Sequence, residues 1–258
     1  MKRIMCVVKY DGSGFNGYQR QPGLRTVQGE IEKALEKIAK KPITIHSSGR
    51  TDAGVHANGQ VFHFDTEGAM DGCRYARAFK SLLPDDIFIV SSQEVDKGFH
   101  ARYHGKIKEY RYQLSLNAYA PIRRNYTYFH PRNLDIEAMR EAMAHLVGTH
   151  DFTSFCGIID ESDKVRTIFE ANLYEDEGEL TFQFVGNGFL RYMIRIMVGT
   201  LIAVGDGRKS AKDIPLIITG RNRKLAGLTA KPQGLYLEYV KYPQEVMEQT
   251  AFPFSGIE

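Results

Sequence analysis

The chain has 258 residues, 43% of them hydrophobic and 25% charged, the composition of an ordinary globular protein with a core large enough for one large domain or two modest ones. A net charge of +3 is too slight to indicate a nucleic-acid partner by itself. The three cysteines (Cys6, Cys73 and Cys156) are odd in number, widely spaced and without a C-x-x-C pair, which argues against a disulfide framework or a cysteine-rich zinc site and for thiols in a reducing compartment.

No apolar run is long enough to span a bilayer; the longest, Phe189 to Val204, carries Arg191 and Arg195. Met1-Lys2-Arg3-Ile4 runs straight into a strand-like stretch and not into a signal peptide, so a cytoplasmic location is expected.

In chain order, Ile4–Tyr10 reads as a buried strand, followed by a glycine-rich loop from Asp11 to Arg25. Thr26 can cap a helix whose apolar positions Val27, Ile31, Ala34, Leu35 and Ile38 have helical spacing. Short strands at Ile43–Ser47 and Gln60–Asp65, a helix over Gly72–Leu83 stopped by Pro84, and a strand at Ile87–Val95 give the order β-α-β-β-α-β. The second half repeats it. Lys106–Leu116 is a strand and Asp135–Leu146 a helix; Val165–Tyr174 and Glu179–Val185 form a hairpin around Asp176-Glu177-Gly178. Phe189–Val204 is an apolar helix, Ala211–Thr219 an extra one, and Gly234–Lys241 the closing strand. The reading is an α+β protein of two tandem ferredoxin-like (split β-α-β) halves with antiparallel sheets joined around a central cleft: residues 1–104, residues 105–245, and a loosely held tail, 246–258.

Gly12-Ser13-Gly14-Phe15-Asn16-Gly17 matches the dinucleotide pattern G-x-G-x-x-G, but Pro22 and Gly23 continue the loop where a helix should open, so the Rossmann context fails. The loop either presents Phe15, Tyr18, Gln19 and Arg20 to a nucleotide ligand or is packed by its own aromatics. The other notable loop is Gly49-Arg50-Thr51-Asp52-Ala53-Gly54. Glycines on both sides of the acid allow a sharp turn and close approach of a substrate, and the neighbouring arginine favours an ionised, nucleophilic carboxylate. Asp and Gly are also default turn residues.

The stretch Gly49-Arg50-Thr51-Asp52-Ala53-Gly54-Val55-His56-Ala57 resembles the active-site signature of the tRNA pseudouridine synthase A family. Further resemblances follow in order: Phe15-Asn16-Gly17-Tyr18-Gln19, Phe99-His100-Ala101-Arg102, Lys108-Glu109-Tyr110-Arg111-Tyr112, His150-Asp151-Phe152, Arg166-Thr167-Ile168, Gly188 through Arg195, and Gly234-Leu235-Tyr236-Leu237. Tyr192 stands where the family often has Asn or His.

The resemblance implies isomerisation of uridine to pseudouridine at tRNA positions 38 to 40, by base flipping, without cofactor or metal, in a homodimer. It makes Asp52 the nucleophile, Arg50 and His56 substrate-binding, Tyr110 the group that stacks on the target base, and Leu235 part of the pocket. Tyr110 could also move a proton through its hydroxyl; as a strand residue it could equally face the core. Arg195 lies between Ile194 and Ile196 on the most apolar helix, which offers no carboxylate nearby, so it needs a partner elsewhere, and the resemblance suggests Asp52. Attack at C1′, attack at C6 and a glycal route all remain open. Phosphate contacts are expected from Gln19, Arg20, Arg102, Lys106, Lys108 and Arg111, with further basic clusters at Arg123-Arg124 and Arg221 to Lys224. Competing readings are an inactive RNA-binding module and an Asp-dependent nucleoside hydrolase, although a hydrolase would want a second acid.

Overall fold

The computed structural model describes residues 1–158, 160 and 162–243; the expected tail 246–258 lies outside the described residues. Its elements are β1 (Lys2–Tyr10), α1 (Val27–Ala39), β2 (His46–Ser47), β3 (His56–Thr66), α2 (Tyr75–Lys80), β4 (Ile87–Val95), β5 (Ile107–Ser115), β6 (Tyr128–Phe129), α3 (Ile136–Ala144), β7 (Gly148–Asp151), β8 (Val165–Asp176), β9 (Glu179–Gly186), α4 (Met193–Gly205), α5 (Asp213–Gly220) and β10 (Leu235–Lys241). The fold is mixed α and β with mostly antiparallel pairing. Two units are distinguished: Met1–Lys106 together with the chain from Leu237, and Ile107–Tyr236.

In the first unit the strand order is β4-β1-β3-β10, with β2 also paired to β3. Thr26 caps α1 as its sequence suggests, its Oγ1 accepting from Gly29 N at 3.2 Å, and Val27, Ile31, Ala34 and Leu35 are buried. Side chains alternate across β3. Phe62 and Phe64 meet Phe79 and Tyr75 of α2 edge-on, while Val61 on the opposite face joins Met5, Val95, Phe99, Ala101 and Tyr242. The helix expected over Gly72–Leu83 is shorter, a 3-10 turn at Gly72–Arg74 followed by α2. Strand β3 is longer than expected and begins at His56: Ala57, Asn58 and Gly59 have low strand propensity, yet Ala57 pairs with Tyr10 beyond a register shift in β1.

In the second unit the order is β5-β9-β8-β7, with β6 parallel to the end of β5. Asp135 caps α3, accepting from Ala138 N at 3.0 Å. The β8–β9 hairpin turns at Glu177 (φ 47°) and Gly178 (φ 80°), a two-residue turn with both central residues left-handed. Helix α4 starts at Met193 and not at Phe189, because Tyr192 is left-handed (φ 62°) and the apolar residues before it form a packed turn. Every residue of α4 except Arg195 is buried. Among the described residues no helix is long and apolar enough to cross a membrane.

Candidate active site

Asp52 is half-buried in the first unit, on a loop between β2 and β3 whose neighbours are held by polar contacts. Gln60 Nε2 donates to Gly49 O at 3.1 Å, and Gln60 Oε1 accepts from Ser48 Oγ at 2.9 Å. The Tyr10 hydroxyl and Thr51 Oγ1 are hydrogen-bonded at 2.8 Å in a buried position, and burial pushes the Tyr10 phenol up, so it remains protonated. Val55 N closes the turn onto Asp52 O at 3.2 Å.

The first loop completes this mount. Tyr18 N donates to Thr51 O at 3.1 Å, and Gly12 N donates to His56 Nδ1 at 3.1 Å, with Asp11 Oδ1 3.2 Å from the same nitrogen. A Cβ on Gly12 would lie 2.0 Å from Val55 O; one on Gly17, which has φ 87°, would lie 3.0 Å from Thr51 O. Two glycines of the G-x-G-x-x-G pattern are therefore there so that the Asp52 loop can approach, and no phosphate needs to be invoked for them. Phe15 and Tyr18 are buried, so the loop is packed by its own aromatics, and of Phe15, Tyr18, Gln19 and Arg20 it presents only the last two. His56 is buried and Arg50 is exposed.

Tyr110, Arg195 and Leu235 stand in the second unit. Tyr110 is half-buried on β5, its ring edge-on to Phe189 at 5.3 Å; Tyr112, on the same face, is fully buried. Arg195 is half-buried, its Nε donating to Ala230 O at 2.8 Å while Ala230 N donates back to Arg195 O at 2.9 Å. Its guanidinium lies 5.2 Å from the Tyr192 ring centre, a cation–π distance. The segment that holds Arg195 continues to Leu235. Lys231 O accepts from the Tyr112 hydroxyl at 2.8 Å, and the Pro232–Gly234 turn delivers a buried Leu235.

The basic residues divide by occupation. Arg20 pairs with Glu32 at 3.1 Å, Arg111 with Glu109 at 2.7 Å, Arg123 with Glu179 at 2.8 Å and Arg221 with Asp151 at 3.1 Å. Arg123 and the hydroxyl and amide neighbours of Glu179 pull that carboxyl down to about 2. Arg102 and Lys106 are exposed and form no ion pair among the described residues; Lys108 is half-buried.

A family model described as tRNA pseudouridine synthase matches residues 6–104 and 142–243. The tRNA pseudouridine synthase A 1 of Bacillus cereus is 51% identical over 245 residues, covering 94% of this chain and 99% of that protein. The tRNA pseudouridine synthase A of Anoxybacillus flavithermus is 49% identical over 244 residues, covering 94% and 99%. The chain belongs to the tRNA pseudouridine synthase family. Among solved structures, an archaeal box H/ACA sRNP Nop10-Cbf5 complex aligns with TM-score 0.36 and 12% identity over 78% of this chain and 43% of that one, a likeness too slight to carry weight. The stretches matched by the pseudouridine synthase family model include Asp52, Arg195 and Leu235 but not Tyr110.

One cluster escapes sequence reasoning. Four of the eight histidines, His46, His63, His100 and His104, gather at one place in the first unit. His63 is buried on β3, stacked on His46 at 5.2 Å and edge-on to His100 at 4.7 Å. Burial, reinforced by His100, Arg3 and His46, lowers its pKa to about 3. The only linear signal is the His100–His104 spacing; His46 and His63 reach the cluster through the register of β2 on β3.

Proposed function

We propose that this chain isomerises uridine to pseudouridine at positions 38, 39 and 40 of the tRNA anticodon arm, acting in the cytoplasm as a homodimer without metal or cofactor. The observation that carries the reading is the Asp52 loop. In this tRNA pseudouridine synthase family member, a half-buried carboxylate sits in a turn whose flanking residues are fixed by Tyr10 at the Thr51 side chain and by Gln60 and the first loop at the backbone. A nucleophile held in this way does not have to be ordered when the substrate arrives.

The target base leaves the stack, at a cost of a few kcal/mol that contacts to the flipped nucleotide offset. Arg50 and His56 hold the flipped nucleotide, Tyr110 stacks on the uracil and Leu235 closes the pocket. Asp52 reacts at C1′, at C6 or, on a glycal route, with the C2′ proton. The C1′–N1 bond breaks, the base turns, C1′–C5 forms, the C5 proton is released and N1 takes up a proton, so the product is an isomer of the substrate; on the glycal route the C2′ proton is also returned. Arg195, the charged residue of an otherwise apolar α4, is the cationic partner of the nucleophile. Gln19, Arg20, Arg102, Lys106, Lys108 and Arg111 contact the RNA backbone. Each unit is read as a split β-α-β of the ferredoxin-like kind. The element order of the first unit and its β4-β1-β3 pairing, with β2 against β3, support this.

The test uses tRNA carrying tritium at uridine C5. Release of tritium, with pseudouridine mapped to positions 38–40, is the expected result. Tight binding without release would instead mean an RNA-binding module, and free uracil would mean a hydrolase. Arg195→Met is expected to lower turnover about a hundredfold; an unchanged rate would remove Arg195 from the site.

A further inference from the structure

Beyond the reacting nucleotide, the segment from Phe99 to Lys106 has the construction of a presentation loop. Its backbone polar groups are taken up internally. His100 N donates to His104 Nδ1, Ala101 N to His63 Nδ1 and Arg102 N to His100 Nδ1, each at 3.2 Å. Phe99 O accepts from Arg3 Nη1 at 2.7 Å, and Ala101 O accepts from the Tyr242 hydroxyl at 2.8 Å. Phe99 and Ala101 are buried in the cluster with Met5 and Tyr242, so the loop is fastened from beneath.

What the loop leaves outward is Arg102, Tyr103 and Lys106. Tyr103 is 71% exposed, although its ring lies on His100 with centroids 4.3 Å apart and planes 32° from parallel. His100 in turn meets His63 at 4.7 Å, and His63 stacks on His46 at 5.2 Å. A chain of three aromatic rings, His63, His100 and Tyr103, thus runs from the buried face of β3 to the surface and ends on an open tyrosine face flanked by two cations that form no ion pair among the described residues.

A protein partner would call for an apolar patch, but Tyr103 is a single exposed ring among charges. A rigid aromatic face beside cations suits a nucleic-acid strand, in which every base offers a π-face and every linkage an anionic phosphate. We propose that His100–Lys106 is a docking surface for a tRNA strand, with an unpaired base other than the reacting uridine stacked on Tyr103 and the adjoining phosphates held by Arg102 and Lys106. This rests on the reading of the chain as a tRNA-modifying enzyme, and it assigns Tyr103 to affinity and not to chemistry.

The probe is an unmodified full-length tRNA transcript, with dissociation constants measured at several salt concentrations and single-turnover pseudouridine formation measured at saturating enzyme. Tyr103→Ala is expected to weaken binding at least about fivefold, the lower end for loss of one base stack, and Tyr103→Phe to bind like the wild type. The salt slope should stay unchanged in Tyr103→Ala and fall by about one in Arg102→Gln. The saturated single-turnover rate of Tyr103→Ala should stay within about twofold of wild type, since a stack distant from the reacting bond contributes uniform binding. Wild-type affinity in Tyr103→Ala overturns the proposal, as does a lost stack in Tyr103→Phe. If the wild type forms pseudouridine while Tyr103→Ala binds normally, the docking surface fails and the activity stands. If the wild type binds through Tyr103 but forms none, the docking surface stands and the activity fails.

Discussion

The loop around Asp52 and the loop from Phe99 to Lys106 belong to the same unit and solve the same problem with different chemistry. Each is irregular backbone that must keep one shape, and each is held by side chains that reach in from β1 and β3. The Asp52 loop is held mostly by hydroxyl and amide groups on Tyr10, Ser48 and Gln60, which keep their protons at any ordinary pH, with a single imidazole, His56, accepting from Gly12 N at its far end. The second loop is held by three imidazole nitrogens, each accepting a backbone N–H and each lost as an acceptor once protonated. With one imidazole acceptor against three, the catalytic loop should be the less acid-sensitive of the two, while the loop proposed to dock RNA should loosen in acid.

The largest effect is expected at the centre of the first loop. Asp52→Asn should lower pseudouridine formation at least about a thousandfold, as loss of a nucleophile does, with tRNA affinity and folding retained. Activity within about tenfold of wild type would remove Asp52 from the chemistry.

The second test separates the two loops by pH. The folded-state value of His63 is about 3 against an ordinary 6.5, so between those values the unfolded chain binds more protons than the folded one. The stability tied to neutral His63 is whole above pH 6.5 and drains away as the pH falls toward 3. Between pH 7 and 5 the loss through this residue is about 2 kcal/mol. His63→Asn keeps an acceptor for Ala101 N without the titration, so urea denaturation at pH 7 and 5 should show a flatter acid limb. An identical pH dependence in wild type and variant would place the acid sensitivity elsewhere.

A comparable effect is expected at Gly12. A Cβ there would meet the backbone oxygen of Val55 at 2.0 Å, so Gly12→Ala should lower stability by about 1–3 kcal/mol and reduce kcat more than it raises KM. Unchanged stability would mean that the two loops do not need their close approach. The smallest effect belongs to Tyr10→Phe, which removes one buried hydrogen bond to Thr51, worth about 1 kcal/mol. It should slow turnover a few-fold without altering the pH profile, and a variant with a wild-type rate would make the bond dispensable.

The sequence conveyed much of this where local rules govern. The cap at Thr26, the start of a helix near Asp135, the Glu177-Gly178 turn and the limits of β4 all depend on residues within a few positions of one another. It failed where one backbone angle, a very short element or a partner far along the chain decides. The start of α4 depends on the left-handed Tyr192, which composition does not reveal, and β6 and β7 are too short to form a pattern of their own. The Asp52 loop was recognised by its residues, but the long-range contacts from Gly12, Tyr10 and Gln60 were not. Of the basic residues, the sequence could not tell Arg20 and Arg111, already paired with Glu32 and Glu109, from Arg102 and Lys106. The histidine cluster needs the β2–β3 register before it exists at all.

The close seating of Gly12 and Gly17 against the Asp52 loop alters how a mutational scan of residues 11 to 25 should be interpreted. Substitutions at Gln19, which is exposed, will report on whatever lies outside the protein, and those at Arg20 will also release the buried Glu32. Substitutions at the two glycines will report on the carboxylate behind them, and their defects will mimic those of an active-site variant although neither position has a side chain to offer a substrate. A library that pools the whole loop will merge two unrelated phenotypes, and only a readout that separates affinity from turnover will sort them.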